Sequence, residues 1–271
     1  MACGFMVVST STPSDEDRIR KAIRSELGSR VSVALETNGK GFIGHIEELP
    51  GAYIRGATED EALSKVPAEV EAYLRWLQAK GRSEFETVVT QRHVSSLAVE
   101  DADNEILLDV DRREMLQEEL DRLIRLVTLS GETFLQACSA AELKNWVDTG
   151  RIRRTFYGER PCSIQSIFDH VNGTQYYYLS RMKISFVYTE KDFANVRRLC
   201  VKRLREIHET GGANQVHHVD REYWTLKKVL RRYIWHDRIH GKAIVRILDR
   251  QRRAGLIAGY EDPFRFFERG P

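Results

Sequence analysis

The segment Trp224–Leu248 constrains the fold more than any other part of this chain, because its apolar residues recur at the three- and four-residue spacing of an amphipathic helix. Thr225 stands where that helix would begin, and a threonine there can cap the first turn by accepting a backbone N–H. His236 and His240 interrupt the apolar stripe four residues apart, so both imidazoles would lie on one helix face, with Cβ atoms about 5–6 Å apart. The segment therefore predicts a long helix that presents two potential metal ligands to neighbouring helices.

Length and composition limit the classes of protein to consider. The 271 residues exceed the usual size of one domain, so two domains are the first expectation. No apolar run approaches the roughly 18–20 residues that span a bilayer, and the N-terminus lacks the pattern of a signal peptide. The four cysteines are not spaced as pairs, which favours a reducing compartment, and we expect a cytoplasmic protein without a membrane anchor. A net charge of +2 is too small to indicate a nucleic-acid partner.

The N-terminal third has the pattern of a small α+β domain. Strand-like alternation recurs four times, at Val31–Glu36, Gly41–Glu47, Ala52–Arg55 and Glu84–Gln91. Asn38-Gly39, between the first two strands, is a typical hairpin turn. Thr58 and Glu61 form a capping box that opens a helix between the last two strands. The predicted order is β-β-β-α-β.

The segment at residues 41–74 combines a strand, a Pro-Gly turn, a short strand of small residues and a Thr-x-x-Glu-Ala-Leu helix start. In this combination it resembles the HicB-like antitoxin fold, a degenerate RNase H-like module. In that family the sheet and helix serve protein–protein recognition, so the resemblance implies a possible protein partner here. His45, on the second strand, is expected at the surface without a role. The chain shows no appended DNA-reading motif, which makes nucleic-acid binding unlikely.

Beyond an acidic break at Glu100–Asn104, the apolar periodicity becomes helical. Four helices are predicted, and their candidate N-caps in chain order are Asp109 or Asp111, Ser163, Thr189 or Asp192, and Thr225. With a long first crossover, these helices predict an all-α four-helix bundle, a fold whose metal sites form from side chains on facing helices. The predicted divisions are residues 1–28 for a tail and possible short helix, 29–103 for the α+β domain, 104–254 for the bundle and 255–271 for a C-terminal extension.

A third histidine, His170, lies beside the apolar stripe of the second predicted helix, in the pattern Ser-Ile-x-x-Ile-Phe-x-His-Val. Together with Tyr-Tyr-Leu-Ser-Arg and the later WTLKKVLRRYIWHDRIH, this pattern resembles the DinB superfamily over about residues 105–250. That superfamily includes mycothiol-dependent isomerases and bacillithiol transferases. Its three metal ligands fall on His170, His236 and His240. The resemblance also implies a low-molecular-weight thiol as cosubstrate and a possible homodimer through the helical bundle.

Three imidazoles that meet inside a bundle without an ion would leave ring nitrogens unpaired, at a cost of about 1–3 kcal/mol each. One divalent ion satisfies them together, and all-nitrogen ligation suits Zn, Ni, Fe or Co, with Zn or Ni favoured. A three-histidine site with an open position can generate a hydroxide nucleophile or hold a thiol as its thiolate. The second of these roles is what the DinB resemblance implies, so the chain is predicted to be a metal-dependent S-transferase or hydrolase.

Several neighbouring residues are weaker candidates. Tyr177, Tyr233 and Asp237 lie close enough along their helices to the ligands to act in catalysis, whereas their structural alternatives are core aromatics and an acid off the metal face. Arg181 and Arg232 could bind an anionic substrate or belong to a solvated helix face. The alternative function is a non-catalytic interaction protein, in which the HicB-like domain binds a partner in the manner of an antitoxin and its toxin.

Overall fold

The computed structural model describes residues 27–79, 84–155, 158–184, 187 and 189–267. The predicted tail and short helix, apart from Leu27 and Gly28, lie outside the described residues. Within these ranges the chain is a mixed α/β protein, in which a four-stranded sheet comes first and helices follow. No described helix is both long and apolar enough to cross a membrane.

The sheet consists of β1 (Arg30–Thr37), β2 (Phe42–Ile46), β3 (Tyr53–Gly56) and β4 (Glu86–Val94). Its strand order is β3-β2-β1-β4: β2 pairs antiparallel with β1 and β3, and β4 pairs parallel with β1. The predicted turn at Asn38-Gly39 joins β1 to β2, and Gly39 has a φ of +81°, which favours glycine. All four strands occur where alternation predicts them, although β4 begins and ends later in the chain than expected.

Two short helices, α1 (Glu59–Leu63) and α2 (Val66–Trp76), connect β3 to β4 where the sequence predicts one. The predicted capping box is present in part: Thr58 accepts the Glu61 N–H at 3.1 Å, but the Glu61 carboxylate accepts the N–H of Ala57, at 2.7 Å, rather than that of Thr58. The helix is interrupted before Pro67, whose missing N–H is tolerated only in a first helical turn.

Four longer helices follow, α3 (Gln117–Ser139), α4 (Ile164–Ser180), α5 (Phe193–Glu209) and α6 (Leu226–Arg253). Two small hairpins separate them, β5 (Arg154–Thr155) with β6 (Gly158–Glu159), and β7 (His217–Val219) with β8 (Glu222–Trp224). Ser163, Asp192 and Thr225 cap α4, α5 and α6 as predicted, each accepting the backbone N–H three residues on.

The predicted cap of α3 at Asp109 or Asp111 is wrong. Residues Asp109–Arg112 form a separate 3-10 turn, and α3 begins only after Leu116. Asp111 is buried, and its carboxylate accepts the Leu108 N–H and pairs with Arg231 at 2.6 Å. A carboxylate held in this way cannot cap a helix that starts several residues later.

Helix α6 lies at the centre of the molecule. Every residue from Leu226 to Arg238 is buried, because α3 and α4 pack against it and the sheet covers its remaining side. Its amphipathic pattern does not predict this, since the charged residues of its polar side are buried against carboxylates from other elements. The apolar core is continuous from the sheet through α2 to α3, α4 and α6, so buried contacts cross the predicted boundary at residues 103 and 104.

The sheet meets α6 at Trp235, against which Tyr53 and His45 pack edge-on with ring centroids 6.5 Å apart. The predicted surface position of His45 is therefore wrong, and the residue is 1% exposed. The alternation of β2 could not settle its position, because α6 covers one face of the strand and the apolar core around α1 and α2 covers the other.

The predicted turn between β2 and β3 also touches α6. Tyr73 donates a hydrogen bond to the Pro50 carbonyl at 2.9 Å, which holds the turn in place. Gly51 has a φ of +85°, and a Cβ there would lie 2.5 Å from Cγ2 of Ile234 and 2.8 Å from the Trp235 nitrogen. Only glycine allows the turn to approach the helix this closely.

Candidate metal site and cavity

Three histidines converge where α4 lies against α6. His170 comes from the middle of α4, and His236 and His240 come from successive turns of α6. The Nε2 atoms of His170 and His236 are 3.1 Å apart, and the ring centroids of His240 lie 4.7 Å from His170 and 4.4 Å from His236. One ring nitrogen of each histidine lies within 4.8 Å of the other two. The predicted ligands are thus brought together around one point.

The electrostatics of the site keep these imidazoles neutral. Burial lowers the pKa of His170, and it lowers those of His236 and His240 well below the ordinary value. The neighbouring histidines lower the pKa of His236 further, and nearby His170 and Arg151 do so for His240. Since a metal binds the deprotonated imidazole, this environment favours the ligand form.

The nitrogen separations fit a single divalent ion. With metal–nitrogen distances of about 2.0–2.1 Å, tetrahedral ligation separates neighbouring nitrogens by about 3.4 Å. The His170–His236 pair is already near that separation, at 3.1 Å. The ligand nitrogen of His240 lies within 4.8 Å of those of His170 and His236. These two distances would have to shorten by at most about 1.4 Å, which a small side-chain rotation can supply.

A cavity of about 410 Å³ opens onto the histidines. Its walls come from both halves of the chain, because the sheet contributes Tyr53 and Arg55 and the following segment contributes residues 101–104. The aromatic rings of Tyr177, Tyr178 and Trp235 also line it. Six arginines surround the opening, Arg55, Arg151, Arg153, Arg160, Arg232 and Arg246. Three carboxylates accompany them, Asp101, Asp103 and Glu222.

Arg232 is buried in the cavity wall, so a solvated-face position for it is wrong. Its guanidinium pairs with Glu222 at 3.1 Å and hydrogen-bonds to Asn104. It also lies over the rings of Trp224 and Trp235, 5.6 and 5.0 Å from their centroids. These partners hold Arg232 in the cavity wall, where it shares the Glu222 carboxylate with Lys228. Arg181, the other predicted anion ligand, pairs with Asp220 outside the cavity.

The three weaker catalytic candidates occupy different surroundings. The Asp237 carboxylate accepts bonds from Arg197 at 2.8 and 2.9 Å and from Ser130 at 2.6 Å, which places it away from the cavity. Tyr233 is buried and donates its hydroxyl proton to the Gln175 carbonyl at 2.5 Å. Of these three candidates, Tyr177 alone lines the cavity.

Tyr178 is a cavity residue that the sequence analysis missed. It is buried, and its ring packs edge-on against His236 with centroids 5.5 Å apart. The signal was present in the spacing, because His170, Thr174 and Tyr178 follow each other at intervals of four on α4 and all face the cavity. The sequence analysis missed this row of three residues because a tyrosine can lie either on the apolar face of a helix or on its polar face.

A second group with metal-ligating atoms within 4.8 Å of one another comprises Glu36, His93 and Glu105. Its carboxylates already have partners: Glu36 accepts the backbone N–H groups of Glu105 and Ile106 at 2.9 and 3.0 Å. Glu105 accepts the hydroxyl of Ser95 at 2.9 Å. This group therefore ties the segment after β4 to the sheet.

Comparison of the chain with family models, with curated proteins and with solved structures finds no match.

Proposed function

We propose that this protein binds one divalent metal ion through His170, His236 and His240 and acts as a metal-dependent thiol S-transferase or hydrolase of the DinB type. The observation that carries this proposal is the convergence of three neutral imidazoles from two helices at the floor of a cavity of about 410 Å³. Zn or Ni suits the all-nitrogen ligand set best. A low-molecular-weight thiol is the proposed cosubstrate.

The metal would supply Lewis acidity, which lowers the pKa of a thiol or water that it binds. The protein's own residues would do the rest. Tyr178 and Trp235 cover the histidines with apolar surface and limit the access of water. Burial raises the pKa of Tyr177, so its hydroxyl stays protonated at neutral pH and can donate a hydrogen bond to a bound molecule.

The finer fold assignment belongs to the same proposal. The order of three strands, a helical crossover and a fourth strand supports a HicB-like module at residues 29–103. The packing of α3, α4 and α5 with α6 supports a DinB-like four-helix bundle at residues 104–254. A homodimer through these helices and a cytoplasmic location remain predictions.

Metal analysis of the full chain, purified without an affinity tag, tests the proposal. We expect about one ion per chain in the wild type and in His218→Ala, which changes an exposed histidine on β7. We expect the ion to be lost in His236→Ala and in His170→Ala. Equal metal content in all four proteins would contradict the proposal. With the metal assigned, thiol-dependent turnover in the wild type and its loss in His236→Ala would separate an enzyme from a protein with a structural ion.

The alternative, an interaction protein, receives less support. In β1, β2 and β3 the residues on both faces are mostly buried, against the core on one side and against α6 and residues 104–108 on the other. A partner that recognises the sheet would therefore have to use β4, which is half-exposed. Metal-free protein that retains partner binding while lacking any turnover would favour this alternative.

A further inference from the structure

One arginine in the cavity wall is buried and forms no ion pair with any of the described residues. Arg151 is 7% exposed, and its Nε atom makes no hydrogen bond. It lies near His240, whose pKa it helps to lower. Burial lowers the pKa of Arg151 and the negative charge of Asp148 partly offsets this, but the Asp148 carboxylate pairs with Arg250. Among the described residues, no carboxylate is in ion-pair contact with Arg151.

The other buried cations of the described residues all have carboxylate partners. These pairs are Arg197 with Asp237, Lys227 with Glu119, Lys228 with Glu222, Arg231 with Asp111, Arg232 with Glu222, and Arg238 with Glu69. Removing a charge from water is costly, and a paired carboxylate offsets much of that cost. Arg151 is the exception to a pattern that the rest of the core follows.

The carboxylates that line the cavity are not available to Arg151. Asp101 pairs with Arg153, and Glu222 pairs with Lys228 and Arg232. The third carboxylate, Asp103, accepts the Asn104 N–H at 3.1 Å and is influenced by Arg232 rather than Arg151. Six arginines face three carboxylates around this opening, which leaves it positively charged. Burial and the neighbouring Arg160 lower the pKa of Arg151 to about 10, so it still carries its charge at neutral pH.

The chain holds this arginine in place from both metal-bearing helices. It ends a 3-10 turn, Thr149–Arg151, whose N-cap is Asp148. The Asp148 carboxylate pairs with Arg250 of α6. The backbone N–H of Asp148 donates a hydrogen bond to the carbonyl of Cys162, just before α4. These contacts fix the backbone that carries Arg151 at the cavity wall. From there its planar guanidinium can form a two-point contact with a carboxylate or phosphate group.

We propose that the cavity is a binding site for a small anionic molecule, whose carboxylate or phosphate group pairs with Arg151 while its apolar body lies against Trp235 and Ile239. A volume of about 410 Å³ is within the range of small-molecule sites. The identification of this anion as a substrate of the metal centre rests on the proposed function. The binding of an anion at Arg151 is independent of that function.

Calorimetric titration of the metal-loaded full chain tests the site with three probes: benzoate, phenyl phosphate and the neutral analogue benzamide. We expect at least one of the two anions to bind and benzamide to bind at least about tenfold more weakly. Arg151→Met should weaken the anion by a similar factor, and Arg151→Lys should recover part of the loss. Arg253→Met, which removes an exposed charge at the end of α6, should leave the affinity unchanged. The tighter anion identifies the carboxylate or the phosphate class.

Equal binding of benzoate and benzamide, or equal anion affinity in the wild type and Arg151→Met, would overturn the proposal, as would no binding of either anion. The same titration of His236→Ala separates this inference from the metal assignment. Anion binding that survives in this variant while its metal is lost supports an anion site independent of the ion. If the wild-type protein holds metal but binds neither anion, the anion-site proposal is contradicted and the metal-site proposal is not.

Discussion

The two sides of α6 handle buried polar groups in opposite ways. On the side that faces the sheet and α5, Arg238 pairs with Glu69 at 2.7 Å and Asp237 pairs with Arg197 at 2.8 Å. On the side that faces the cavity, Arg232 pairs with Glu222, but the histidines contact one another, and Arg151 across the cavity forms no ion pair within the described ranges. Charged residues on one side of α6 are thus ion-paired, whereas the cavity on its other side contains three clustered histidines and an arginine without an ion-pair partner among the described residues.

This contrast indicates which polar groups hold the fold and which serve the site. Removing either member of a buried ion pair leaves the other charge buried and uncompensated, which destabilises the protein. A buried polar group without a partner already costs stability, and its replacement by an apolar residue should not destabilise further. Matched substitutions on the two sides should therefore change the free energy of unfolding in different directions.

The largest expected effect comes from Arg238→Met, which leaves the Glu69 carboxylate buried with two weaker contacts, to Lys242 and to the Tyr53 N–H, each at 3.5 Å. We expect this substitution to lower the free energy of unfolding by about 3–5 kcal/mol. Arg151→Met, the matched change on the cavity side, should leave it unchanged or raise it. Urea denaturation of both variants measures the difference. A loss of similar size in both would show that Arg151 has a structural role.

Metal loading should give the next largest effect. At a free metal concentration of 100 times Kd, binding to the folded state stabilises the protein by about 2.7 kcal/mol. For a chain of this length, that corresponds to a rise in Tm of about 5–10 °C. Chelation should reverse the rise, and His170→Ala should abolish it while His218→Ala keeps it. A melting temperature that does not respond to metal in the wild type would contradict the assignment of the ligands.

Substitution of Gly51 should be less damaging and tests the contact between the sheet and α6. Gly51→Ala adds a Cβ at positive φ and within 2.5 Å of Ile234, so we expect a loss of about 2–3 kcal/mol. Gly39→Ala is the control, because Gly39 also has positive φ but nothing within 4 Å of its Cβ position. Its loss should stay near about 1 kcal/mol. Thermal or urea unfolding of the two variants gives the comparison, and equal losses would mean that the turn does not press on the helix.

The smallest effect should come from Asp103 at the cavity edge. Burial raises the pKa of this carboxyl to about 6, from the ordinary value near 3.8. The folded state therefore binds more protons than the unfolded state between about pH 4 and pH 6, and stability falls as the pH rises through this window. Asp103→Asn should remove that fall and exceed the wild type slightly at pH 7, by less than about 1 kcal/mol. Tm values at pH 4.5 and 7 would reveal it, whereas a variant less stable than the wild type at pH 7 would contradict the raised pKa.

Local patterns predicted much of the fold. The caps at Ser163, Asp192 and Thr225 and the hairpin turn at Asn38-Gly39 depend on bonds within a few residues, so the sequence carries them directly. The convergence of the three histidines was predictable for a related reason. The i,i+4 pair fixes one helix face, and the third histidine lies on another helix whose apolar stripe must pack against it.

Long-range pairings were not predictable in this way. The start of α3 was misplaced because Asp111 is held by Arg231, 120 residues further along the chain. His45 was misplaced because the strand that carries it is covered on both faces. No local pattern marks Arg151, since what distinguishes it is that none of the described carboxylates forms an ion pair with it in three dimensions.

The sheet forms one wall of the cavity through Tyr53 and Arg55, and Glu69 of its crossover helix neutralises Arg238. A fragment that begins at residue 104 would therefore lose more than an accessory module. Its histidines would be exposed to bulk water, and the Arg238 guanidinium would lose the carboxylate of Glu69 that pairs with it. The proposed metal site thus depends on both halves of the chain, even though the three histidines all lie on two helices.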